Sequence, residues 1–166
     1  MEIFVLRHGD ANIGSKKIVD DSARSLTDVG IKEIENVSKF FADFDIEIDH
    51  IFSSPLKRAR QTAEIILKNQ KKVKLTELAE LKPEGLSDEA CKKMTKQNYP
   101  TILVIGHNPL LTNMINHIIN SQKQTTCDLS LKTGGLAKIN TTAREPQLQG
   151  KLEWLLTPKM IRKVTK

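Results

Sequence analysis

Apolar and polar positions follow two rhythms along this chain, and the switches between them mark out its elements. Ile3 to Arg7 is a short, continuous apolar run, the pattern of a strand buried on both faces. A polar loop follows from Asp10 to Ser25. Thr27 then has the character of a helix N-cap, with Leu26 and Ile31 at the two positions of a hydrophobic staple. Ile31, Ile34, Val37, Phe40, Phe41 and Phe44 recur behind it at helical spacing and predict one buried stripe. Asp49 to Ser53 reads as a second strand, and Ser54-Pro55 as a helix start with serine as cap and proline in the first turn. Val73 to Leu78 predicts a further strand, and Ser87 to Asn98 a more polar helix. The clearest buried strand is Thr101 to Gly106. It runs into His107 and a second cap-plus-proline start at Asn108-Pro109, with Leu110, Leu111, Met114, Ile115, Ile118 and Ile119 as the next core stripe. Leu136 to Thr141 and Lys151 to Thr157 alternate apolar and polar residues, as half-buried edge strands do.

Strands that alternate with helices predict an α/β domain layered around a mainly parallel sheet. No repeat, low-complexity stretch or linker divides the chain, so residues 1–166 are expected to form one domain. Composition changes this picture little. At 39% hydrophobic and 28% charged residues, wholesale disorder is excluded. The apolar run at the N-terminus is too short for a signal peptide, and no stretch could span a bilayer. Cys91 and Cys127 have no CxxC partner and read as reduced thiols, which fits a cytoplasmic protein.

The formal charge of +6 raises the question of nucleic acid. The basic residues argue against it: they are mostly lysines, scattered as Lys16-Lys17, Lys68 to Lys74, Lys92-Lys93 and the C-terminal tail, with no aromatic residues between them to stack on bases. No nucleic-acid or membrane partner is expected. An anionic substrate accounts for the sign equally well.

In open α/β sheets, ligands bind beyond the carboxyl ends of the strands. Arg7-His8-Gly9-Asp10, Ser53-Ser54-Pro55-Leu56-Lys57-Arg58 and Gly106-His107-Asn108-Pro109 follow three of the predicted strands. They bring two histidines and two arginines to one edge, and two of them open into helices. Guanidinium forks and helix N-termini match the oxygens of a phosphoryl group. A histidine among such cations is biased toward neutrality, and neutral imidazole is the form that attacks phosphorus. Gly9 would let the backbone come close to the ligand. His50 and His117 read as surface residues, and Gly134-Gly135 as a bend before a strand. No cluster has metal-ligand spacing and no Walker or dinucleotide glycine motif is present, so no metal and no cofactor is expected.

These residues resemble a known family. Phe4-Val5-Leu6-Arg7-His8-Gly9-Asp10-Ala11 is similar to the opening motif of the histidine phosphatase superfamily, with its phosphoglycerate-mutase-like fold. Ser53 to Ala63 and Val104 to Pro109 resemble its second and third motifs. Asp-Ala after the first motif looks like the SixA branch of phosphohistidine phosphatases. Arg24 to Thr27, Glu80 to Gly85 and Leu152 to Pro158 agree with that branch. The resemblance implies a three-layer α/β/α sandwich in which His8 is transiently phosphorylated. Arg7 and Arg58 would bind phosphoryl oxygens, and His107 would donate a hydrogen bond to one of them. Only the motif selects Arg58. Periodicity, taking Leu56, Ala59, Ala63, Ile66 and Leu67 as the core face, puts Arg60 beside the core and turns Arg58 away.

The resemblance implies as substrate a histidine-phosphorylated protein of the phosphotransfer type, with inorganic phosphate as product. Departing imidazole is far less basic than an alkoxide, so this chemistry needs no dedicated acid. Glu77, Glu80 and Glu84 lie where a phosphomonoesterase would carry one. A phosphomonoesterase acting on a small metabolite, or a non-catalytic module that binds phosphorylated partners, are the alternatives.

Overall fold

The computed structural model describes residues 1–11, 21–70, 72–120, 127–143 and 147–165. Lys16, Lys17 and most of the polar loop after Asp10 lie outside the described residues. Six strands, β1 (Glu2–Arg7), β2 (His50–Ser53), β3 (Lys74–Glu77), β4 (Thr101–Gly106), β5 (Leu136–Ala143) and β6 (Gln149–Leu156), form one sheet in the order β3-β2-β4-β1-β5-β6. The first four in that order are parallel; β5 runs antiparallel to β1, and β6 antiparallel to β5. Helices α1 (Asp28–Asp43), α2 (Lys57–Leu67), α3 (Ser87–Thr95), α4 (Leu110–Ile119) and α5 (Pro158–Val164) complete the fold.

Period-two alternation explains the three layers. Ile3, Val5, Ile102 and Val104 point into a core shared with α3 and α4. Their neighbours Phe4, Leu6, Leu103 and Ile105 point into the opposite core, shared with α1, α2 and α5. The inner residues of the two central strands, Ile3 to Leu6 and Ile102 to Ile105, are therefore apolar on both faces, as the continuous runs predict.

β5 is not an edge strand but lies between β1 and β6; the edges are β3 and β6. Lys138 lends β5 its polar rhythm, yet its amine bonds Glu2 at 2.5 Å and Glu153 at 3.1 Å while sitting over the Phe4 ring. Phe44 falls beyond the end of α1 and is exposed, its ring tilted against that of Phe40 at 4.6 Å. His50 is not on the surface: it is buried, stacked on Tyr99 at 4.5 Å and bonded through Nε2 to Thr76 Oγ1 at 2.9 Å. α5 was not anticipated. Thr157 caps it by accepting from the Met160 N–H, and Ile161 buries it against the core beside α1.

Candidate active site

Strand register alone brings the two histidines together. Arg7 pairs with Gly106 across β1 and β4, so His8 and His107 are the next residues on neighbouring strands. The His8 N–H donates to the Gly106 carbonyl at 3.2 Å, and the imidazole centroids lie 4.8 Å apart. On the other side of β4, the Ser54 N–H donates to the Ile105 carbonyl at 2.9 Å, carrying the β2 chain end alongside. α2 leaves from that end and turns Arg58 into the site, where it is 3% exposed.

His8 is held in one tautomer. Its Nδ1 lies 2.7 Å from the Gly9 carbonyl, which can only accept, so Nδ1 carries the proton. The Nε2 lone pair faces the Arg58 Nε–H at 3.3 Å. Burial, the largest influence, lowers the His8 pKa to about 4; the bond to the Gly9 carbonyl, next in size, pulls upward, and the charges of Arg58, Arg7 and Arg24 add to the lowering. His107 is lowered to about 3 by burial first and then by His8 and Arg58. Both rings are uncharged at neutral pH.

The cations around them are fixed in place. Arg58 donates from Nη1 to the Asp21 carbonyl at 2.8 Å and from Nη2 to the Asp21 carboxylate at 2.9 Å, leaving Nε toward His8. Arg24 binds the other Asp21 oxygen at 2.8 Å and the Ala11 carbonyl at 3.2 Å. Arg7 Nη1 and Asn108 Nδ2 both donate to the Leu131 carbonyl, at 3.0 and 3.1 Å. The bond from Arg24, followed by the charge of Arg58, keeps Asp21 below the ordinary carboxylate range. These groups surround a cavity of about 330 Å³. Larger surface hollows, of about 590 and 460 Å³, contain no histidine.

Arg7, His8, Arg58 and His107 thus line one cavity, as the motifs imply. Arg60, which periodicity puts beside the core, is instead exposed and paired with Glu77 at 3.0 Å. Gly9 has a use other than a ligand's approach. A Cβ there would come within 2.5 Å of the Gly30 carbonyl oxygen, so glycine is needed where α1 packs against the chain after β1. None of Glu77, Glu80 and Glu84 borders the cavity. Glu80 is bonded to Lys93 at 2.6 Å, and that bond lowers its pKa.

Sequence reasoning missed Asp21, Arg24 and Ser54 as parts of the site. Arg24 stood inside a run that resembled the branch. Ser54 stood inside the run that resembles the second motif, and Asp21 carried no signal beyond its position in a loop. Asp10, whose carboxylate accepts from Thr27 Oγ1 at 2.7 Å, ties the site to the cap of α1. Gly134, at φ +63°, donates to the carbonyls of Arg7 and His8, so the bend before β5 also fastens the end of β1. Among the described residues, no three His, Cys, Asp or Glu side chains are placed to hold a metal ion.

Two neutral imidazoles flanked by arginines at the carboxyl edge of a mainly parallel sheet offer the charge and the donors that suit a phosphoryl group. The model of the histidine phosphatase superfamily (branch 1) matches residues 3–84. The phosphohistidine phosphatase SixA of Escherichia coli (strain K12) is 31% identical over 120 residues, covering 69% of this chain and 72% of that protein. A structure of the protein histidine phosphatase SixA complexed with tungstate superposes with a TM-score of 0.79 at 24% identity, covering 96% of this chain and 98% of that one. The alpha-ribazole phosphatase of Shigella flexneri gives 0.72 at 15% identity, over 92% and 95% of the two chains. The chain belongs to the histidine phosphatase superfamily.

Proposed function

We propose that this phosphatase removes phosphoryl groups from histidine on a partner protein, through a phosphohistidine intermediate on His8. The observation that carries the reading is the single tautomer of His8: Nδ1–H bonded to the Gly9 carbonyl, and the Nε2 lone pair turned to Arg58. In the first step the phosphoryl oxygens take the Arg58 Nε–H away from His8, whose Nε2 then attacks phosphorus. The P–N bond of the substrate breaks and its imidazole departs, taking up a proton from solvent. As phosphoryl transfer leaves His8 positively charged, the Gly9 carbonyl stabilises its Nδ1–H. Water then attacks the phosphohistidine, His8 returns to its starting form and phosphate leaves. Arg7, Arg58 and His107 hold the phosphoryl oxygens throughout, supplying charge already in place.

The carboxylates at the cavity favour a nitrogen leaving group. Asp10 and Asp21 are the acids that line it among the described residues, and Asp21 is held ionised by Arg24 and Arg58. An alkoxide would need a proton that this site is poorly equipped to give. E. coli SixA, by its name, acts on phosphohistidine. The free thiols of Cys91 and Cys127 fit a cytoplasmic location, and one domain over residues 1–166 would carry the whole activity.

Phosphate release should be followed for the wild type and His8→Ala with a histidine-phosphorylated phosphotransfer protein and with an aryl phosphate. Rapid release from the protein that depends on His8, with little from the ester, is expected. Fast ester hydrolysis would point to a general phosphomonoesterase, and release from neither to a binding module. Undiminished activity of His8→Ala would end the proposal.

A further inference from the structure

His107 poses a question of protonation that its neighbours answer. Its Nε2 lies 2.9 Å from Ser54 Oγ, while its Nδ1 is buried with no partner among the described residues. The residue is 2% exposed and lines the cavity. Being neutral, it carries one ring proton, and either nitrogen could hold it.

Ser54 is fully buried, so its hydroxyl must also be satisfied. Its oxygen accepts from the Leu56 N–H at 3.3 Å. Among the described residues its hydrogen has one acceptor in reach, His107 Nε2. If the hydroxyl donates to Nε2, only the Nδ1–H is left over. If instead Nε2–H donates to the hydroxyl, the Ser54 hydrogen and the Nδ1 lone pair are both stranded. The first arrangement leaves one fewer buried group unpaired. It also leaves a donor rather than a lone pair free on a ring that borders the cavity lined by Arg7 and Arg58, where an anion belongs.

We propose that Ser54 is a positioning residue that fixes His107 as the Nδ1–H tautomer, so that this N–H is ready to donate to a phosphoryl oxygen. The proposal rests on the phosphoryl-binding role given to His107 above, but not on which substrate delivers the phosphoryl group. Ser54 touches no substrate. It acts by denying Nε2 the proton, much as the Gly9 carbonyl denies Nε2 of His8 its own. The two rings are then complementary: His8 presents a lone pair to phosphorus, and His107 presents a hydrogen to one of the oxygens.

The tautomer is read directly from long-range ¹H–¹⁵N correlation spectra of protein labelled at histidine, with His107 assigned against a His107→Gln sample. Affinity for inorganic phosphate is measured alongside, so neither readout depends on turnover or on the phosphohistidine assignment. The wild type is expected to show His107 protonated on Nδ1. Ser54→Ala should shift the proton toward Nε2 and weaken phosphate binding about tenfold, the effect of one misplaced hydrogen bond to a charged group. Ser54→Thr, which keeps the hydroxyl, should restore both. A wild-type ring protonated on Nε2 would overturn the proposal, and that spectrum decides even if Ser54→Ala fails to fold. Weakened binding with the tautomer unchanged would equally overturn it, since Ser54 would then be merely structural.

Discussion

Arg58 and Arg60 stand two residues apart on α2 and end in opposite surroundings. Arg58 is buried against His8 and Asp21, while Arg60 is more than half exposed on an ion pair with Glu77. On the proposed mechanism, removing Arg58 deletes a fixed donor and a charge at the phosphoryl group, so Arg58→Ala should lower kcat/KM by roughly a hundredfold or more. Removing Arg60 breaks a surface pair of small worth, and Arg60→Ala should stay within about twofold of wild type. Steady-state kinetics on one phosphorylated substrate checks both, and a reversed ranking would refute the alignment to the second motif. Apolar periodicity misjudged this pair for a definite reason. The buried residues of α2 are Arg58, Ala59, Thr62, Ala63 and Ile66, and the polar members Arg58 and Thr62 turn the face away from where the apolar ones alone would centre it. Thr62 is satisfied by donating to the Arg58 carbonyl one turn back, at 2.8 Å. A helix that enters a catalytic site buries polar residues, so its face cannot be found from hydrophobicity alone.

At the scale of elements, three cap-plus-proline pairs stand in the sequence, and they behave differently. Thr157-Pro158 is a true cap, and it starts the helix that went unread, because seven residues with Ile161 as their one buried residue give too little periodicity. Ser54-Pro55 and Asn108-Pro109 looked like the same signal, yet α2 starts only at Lys57 and α4 at Leu110, with no side-chain cap on either. The side chains of Ser54 and Asn108 are engaged elsewhere, on His107 and on the Leu131 carbonyl. Strands and long helices were legible because their burial is regular; these boundaries were not, because the side chains that look like caps bond across to other elements. α1 carries a comparable demand in its backbone. Its first turn presses so closely on the chain after His8 that a Cβ on Gly30 would lie 2.0 Å from the Asp10 carbonyl oxygen. Backbone cannot yield as a flexible side chain can, so Gly30→Ala must push α1 away from Gly9 and Asp10. A loss of about 2 kcal/mol or more in urea denaturation is expected, together with a fall in kcat/KM from displacement of His8. Wild-type stability and activity in Gly30→Ala would show that the contact relaxes without consequence.

Across the whole molecule, a net charge of +6 and a cavity lined with arginines surround two histidines that must stay neutral. That requirement makes the fold sensitive to mild acid. Above pH 6.5, the ordinary histidine value, His8 and His107 are largely neutral whether the chain is folded or not, and titration of either costs no stability. Between there and about 4, where His8 titrates when folded, the unfolded chain takes up a proton that the folded one refuses. Stability must therefore fall as the pH falls through this window, by on the order of 3 kcal/mol for His8 alone. His107, lowered to about 3, adds to the loss in the same direction. Bound phosphate should oppose the trend, because an anion beside the rings favours their charged forms and binds only the folded protein. Urea denaturation at pH 5 and pH 7.5, for wild type and His8→Gln, separates this cause from the general repulsion of a basic chain. Wild type should lose markedly more stability at pH 5 than the variant does, and the difference between them should shrink when phosphate is present. Equal losses in the two proteins would place the acid sensitivity outside the site and contradict the neutral state on which the proposed attack by His8 depends.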